Sequence, residues 1–126
     1  MKKVAIPYWQ NRISPVFDVA GRLLVVTMAN GTEQGRQSVA LIDRDIRARA
    51  LTLSRLGVQV LICGNLSRPL QMAVAQQGIE VIAHICGDVE HVLAAYAGGR
   101  LLQDDFLTPG ARGRGRRLRV RRRGGR

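Results

Sequence analysis

Apolar residues recur along this chain with two different periods, and the change between them separates strands from helices. Residues 2–7 (KKVAIP) predict a short first strand that ends at Pro7. The next stretch, YWQNRISPVFDVAG, is rich in turn formers and predicts a loop. Residues 23–29 (LLVVTMA) are a continuous apolar, β-branched run, the pattern of a buried strand. Asn30-Gly31 is a hairpin-type turn signal, and residues 36–42 (RQSVALI) are a weaker strand candidate. The period then lengthens. Ile46, Ala50, Leu53 and Leu56 form one helical stripe, with Asp43 or Asp45 as its cap and Gly57 at the C′ position. Residues 58–63 (VQVLIC) give the clearest buried strand. Ser67 caps a second helix with Pro69 in its first turn, which runs to Gln77 and stops at Gly78. Residues 79–85 (IEVIAHI) predict another strand, and Asp88 caps a last helix, Val89–Ala97, closed by Gly98-Gly99.

The predicted order is β-β-β-α-β-α-β-α. Strands alternating with helices in the second half imply parallel crossovers, and the first half reads as an antiparallel meander. The expectation is an α/β domain with a mixed sheet of about five strands and helices on its faces. A length of 126 residues suits one domain, and aromatic residues at 4% leave the core to Val, Leu, Ile and Ala. No apolar run approaches the ~18 residues of a membrane span, and the N-terminus lacks the apolar stretch of a signal peptide, so the chain is expected in the cytoplasm. Cys63 and Cys86 do not make a disulfide framework.

Charge divides the chain again. The net charge is +11, yet residues 1–109 carry eleven Lys/Arg against nine Asp/Glu, while residues 110–126 carry nine Arg and no acid. The expected organisation is a nearly neutral domain at residues 1–106 and a disordered Arg/Gly-rich tail at residues 107–126. Arg112–Arg126 could attract nucleic acid or an acidic protein by charge, although the tail carries no aromatic residue between the arginines to stack on bases.

Five segments then resemble one family in order and spacing. They are V-A-I-P, S-P-V-F-D-V-A (14–20), L-G-V-Q-V-L-I-C-G-N-L (56–66), Q-G-I-E-V (77–81) and G-D-V-E-H-V-L-A-A-Y-A-G-G-R-L (87–101). Together they resemble the NifX/NifB-type dinitrogenase iron–molybdenum cofactor biosynthesis family over about residues 2–102. The resemblance implies a ribonuclease-H-like five-stranded mixed sheet. It also implies a non-enzymatic role, binding or carrying an iron–sulfur, iron–molybdenum or molybdenum–copper sulfide cluster between donor and acceptor proteins. The chain departs from the family pattern at Asp18, where Gly is common, and at Gly64-Asn65-Leu66-Ser67, where G-G-x-G is common. Its tail carries Arg and Gly rather than metal-binding residues.

In open α/β sheets ligands lie beyond the carboxyl ends of parallel strands. That edge would collect Cys63, His84 and Cys86 as metal ligands, with Tyr8, Ser14, Phe17, Gly64, Asn65, Ser67 and Gly87 shaping the crevice. Thiolate and imidazole suit iron–sulfur, copper(I) and thiomolybdate chemistry, and the amides of helix starts suit an anionic cluster. Each residue also has a plainer reading. Cys63 ends a buried strand and can be core packing. His84-x-Cys86 is a short spacing with no second pair. His91 reads as a solvated helix-face residue, Phe17 as a plug for the sheet edge, and Tyr8 and Trp9 as covers for its end. A nuclease is disfavoured, because two-metal chemistry needs clustered carboxylates and the first strand and residues 58–63 carry none.

Overall fold

The computed structural model describes residues 1–99. The tail and the 106/107 boundary expected from the sequence lie outside those residues. Six strands and three helices follow the chain in the order β1 (Lys2–Trp9), β2 (Arg12–Ile13), a 3₁₀ turn (Phe17–Val19), β3 (Arg22–Ala29), β4 (Thr32–Ala40), α1 (Ile46–Arg55), β5 (Val60–Ile62), α2 (Arg68–Gln76), β6 (Glu80–Ile82) and α3 (Val89–Ala97). The sheet order is β4-β3-β1-β5-β6, with the short β2 paired to β1. The β1–β3 and β3–β4 pairs are antiparallel, and β1–β5 and β5–β6 are parallel. The expected α/β class and mixed sheet are therefore present, with one further short strand.

Alternation along each strand builds two cores. Val4, Ile6, Leu24, Val26, Val60 and Ile62 face one side and pack with Val89, Val92 and Leu93 of α3. Ala5, Leu23, Val25, Leu61 and Cys63 face the other side and pack with Ala50 and Leu53 of α1 and Leu70 and Val74 of α2. Both faces of the central strands are covered, so those strands read as unbroken apolar runs. Mid-sheet side chains of this kind stabilise by about 1.5–3 kcal/mol each when fully buried.

Element ends differ from the sequence expectations for local reasons. Residues 36–42 were too short a strand, because Asn30 and Gly31 both take positive φ (55° and 77°) and the resulting tight turn starts β4 at Thr32. β5 begins late, since the amide of Val58 still bonds the carbonyl of Leu53 behind Gly57 (φ 78°) and finishes α1. β6 stops at Ile82, before a turn in which His84 takes φ 66°. The caps fall where expected. Asp45 accepts from Ala48 N–H, Ser67 from Leu70 N–H, and Asp88 from the amides of Glu90 and His91.

Candidate functional site

Three parallel strands, β1, β5 and β6, end together, and the loop between β2 and β3 crosses their carboxyl edge. Backbone bonds stitch that loop to the strand ends. The amide of Ser14 donates to Pro7 O (3.0 Å), Asn65 N–H to Pro15 O (2.8 Å), Phe17 N–H to Asn65 O (2.8 Å) and Ile13 N–H to Gly87 O (3.0 Å). Gly64 is required at this crossing. A Cβ there would stand 2.6 Å from Pro15 O and 2.8 Å from Ser14 O, closer than any side chain tolerates.

Ser14, within this loop, is buried, and Phe17 is fully buried in the core on the α1/α2 side, as a plug. Tyr8 packs half-buried against the α3-side core, and its hydroxyl shares a 2.6 Å hydrogen bond with Ser38 Oγ, tying the end of β1 to β4. Trp9 is 66% exposed and forms part of the rim. His91 is exposed on α3.

The three expected ligands are not gathered into one set. Cys63 shares the phase of Leu61, so its side chain enters the α1/α2-side core, where it is 0% exposed. Burial, with a smaller push from Asp18, raises its thiol to about 12, so the thiolate that a metal needs is strongly disfavoured. Cys86 is half-buried and His84 exposed, on either side of the buried Ile85. Among the described residues no group of three His, Cys, Asp or Glu side chains stands close enough to hold a metal ion.

His84 is nevertheless held in place. Its amide donates to Gly64 O (2.9 Å), and its Nδ1 lies 3.0 Å from Asn65 Oδ1. With Asn65 Oδ1 as acceptor, the bond fits a ring that donates from Nδ1. A β-capable residue kept at φ 66° carries backbone strain, and strain of this kind concentrates at functional sites.

Two residues beside the loop were not singled out as functional from the sequence. Asp18 accepts the Ser67 amide at 2.7 Å through Oδ1, joining the loop to the start of α2. Arg49, in α1, is buried beneath the loop at 2% exposure. A sequence signal for it existed, because Arg49 lies on the stripe of Ile46, Ala50 and Leu53 and a charge there points into the core. An open groove lined by Lys2, Met28, Asn30, Gly31, Tyr96 and Ala97 lies at the opposite end of β1, away from this chemistry. Among the described residues, no helix is long and apolar enough to cross a membrane.

Comparison with known proteins fits this architecture. The protein PH0822 superposes with a TM-score of 0.74 at 18% identity, over 78% of this chain and 90% of that one. The apo form of the orange protein from Desulfovibrio gigas gives 0.67 at 21% identity, over 79% and 90%. A Thermotoga protein described as a NifB candidate gives 0.64 at 22%, over 79% and 90%. At these identities the likeness establishes a shared fold. Among curated proteins no match is found. The sequence profile of the dinitrogenase iron-molybdenum cofactor family matches residues 1–99, the whole described domain, and the chain belongs to that family.

Proposed function

We propose that this chain is an accessory protein of metallocluster assembly, which holds an iron–sulfur or molybdenum-containing cluster at the carboxyl edge of β1, β5 and β6 and passes it on without catalysing a reaction. The cluster is cargo. Membership of the dinitrogenase iron-molybdenum cofactor family supports the general role. The observation that carries the placement is the β6–α3 turn, which sets an imidazole and a thiol two residues apart at the strand ends, with the imidazole oriented by Asn65.

In this reading His84 Nε2 and the Cys86 sulfur are the contacts, and Cys63 packs the core beneath. One thiolate and one imidazole make a weak and therefore releasable site, which suits a carrier better than a closed set of four thiolates. Asn65 fixes the imidazole as an outer-sphere partner. The loop at residues 13–18 and the start of α2 wall the crevice.

Anaerobic titration with tetrathiomolybdate and reconstitution with iron and sulfide, followed by the visible spectrum and metal analysis, test the reading. His84→Ala and Cys86→Ala are expected to weaken uptake at least tenfold each, as loss of one ligand of a weak pair does, and Asn65→Ala by about tenfold. Cys63→Ala is expected to leave uptake unchanged. Unchanged uptake in the double variant H84A/C86A would remove the proposed ligands, and no stoichiometric cluster under any loading would remove the carrier function.

A further inference from the structure

Arg49 is the largest fully buried side chain among the described residues, and its bonding is lopsided. Nη1 donates to Phe17 O (3.1 Å) and Ala20 O (2.8 Å), and the guanidinium carbon stands 5.7 Å from the centroid of the Phe17 ring. Nε and Nη2 are buried with no hydrogen-bond partner among the described residues. No carboxylate forms an ion pair with it there. Burial, and then the neighbouring Arg44, pull its proton affinity down, and Asp18 and Asp43 only partly restore it.

For stability alone this is a poor arrangement. Buried charged donors without partners cost free energy, and an apolar side chain of similar volume at such a position is often neutral or stabilising. What the guanidinium does make is specific: its two bonds grip the two ends of a single turn. That turn carries Asp18, which holds the Ser67 amide of α2. It follows Val16, which pairs with Asn65, the residue that orients His84.

We propose that Arg49 is a positioning residue, which clamps the Phe17–Ala20 turn from beneath and, through Asp18 and Asn65, sets the wall of the crevice. The clamp is independent of any cargo. Its consequence for cluster binding rests on the function proposed above. The fold thus carries an unmatched cation under its working edge in exchange for a rigid loop.

The test uses the full chain with Arg49→Met and Arg49→Lys, read by amide hydrogen exchange, thermal melting and tetrathiomolybdate titration. In R49M the amides of Ala20 and Ser67, which bond Phe17 O and Asp18, are expected to exchange at least tenfold faster, while those of Val4 and Val26 in the central strands do not change. Melting is expected to stay level or rise, and tetrathiomolybdate affinity to fall about fivefold. R49K, which keeps a donor, is expected to recover part of the loop protection. Uniformly faster exchange with a lower melting temperature, or an R49M chain that does not fold, would make Arg49 a general stabiliser and overturn the proposal. Unchanged exchange at Ala20 and Ser67 would overturn it as well. Should the native chain take up no tetrathiomolybdate, the carrier reading fails and the exchange data alone decide the clamp.

Discussion

Cys63 shows how a single residue's place in the strand pleat decides its chemistry. Residue types alone made it as good a ligand as Cys86, because a cysteine at a strand end is either a reactive group or a small hydrophobe. Pleat alternation puts it in phase with Leu61, on the face covered by α1 and α2. Its thiol is pushed up to about 12, mainly by burial, whereas an unfolded thiol titrates near 8.5. An acid whose folded value is raised keeps its proton longer in the native state. Its stabilising contribution is therefore complete below about pH 8.5 and declines as pH rises toward 12, by up to about 1.4 kcal/mol per pH unit. Urea unfolding of the native chain and of Cys63→Ala from pH 7 to 10 should show this. Cys63→Ala starts less stable by ~1 kcal/mol from the lost packing, and the gap closes about one pH unit above 8.5 and reverses by about pH 10. Curves that stay parallel would mean that Cys63 is not protonated and buried as described. His84 and Arg49 make the complementary case. The first sits on the surface in a strained conformation, and the second lies buried with donors unmet. Both depart from what local preference favours, and both adjoin the same loop.

At the scale of elements, the caps carry more than helix stability. Asp88 accepts from the amides of Glu90 (2.9 Å) and His91 (3.3 Å), starting α3 directly after Gly87. The same short segment receives β2, since Ile13 N–H bonds Gly87 O and Val89 N–H bonds Asn11 O. Asp88→Ala should lose about 1 kcal/mol of stability, the usual worth of an N-cap, as read from the urea midpoint. It should also speed exchange at Ile13 and Val89 more than in the central strands. Exchange that rises only within α3 would show that the cap does not reach the crevice. On the far edge, Arg36 of β4 bonds both Glu33 and Glu90, tying the edge strand to α3 and holding both carboxyls below their usual range through those bonds. These groups are substantially exposed, so the network is worth little in solution.

Across the whole molecule, charge and fold are separated along the sequence. The described domain holds the family's fold, while nine of the chain's arginines fall in residues 110–126, outside the described part. The proposed cluster binding and the charge-driven retention expected of the arginines are thus separable by one deletion. Removing residues 110–126 should leave tetrathiomolybdate uptake unchanged and abolish any salt-sensitive retention on nucleic acid, since cation–phosphate contacts dominate such binding. Retention that survives the deletion would assign it to the domain, and uptake lost with the tail would move the cargo site away from the β1/β5/β6 edge.

The sequence by itself determined the alternation of strands and helices, the caps of α2 and α3 and the class of fold, and it narrowed the cap of α1 to Asp43 or Asp45. Those follow from period, capping chemistry and turn residues, which act over a few positions of chain. It also put the carboxyl ends of β1, β5 and β6 at one edge, because parallel strands run in the same direction. Only the tertiary structure decided that Cys63 is sealed in the core beneath α1 and α2 while Cys86 stays half-buried. It also decided that Asp18 reaches α2, and that Arg49 lies under the loop rather than in solvent. Those facts depend on pairs far apart in sequence, such as Asp18 with Ser67 and Arg49 with Phe17, whose meeting is set by how the helices pack on the sheet. Local preference cannot encode such meetings, since each side chain taken alone is equally content in water.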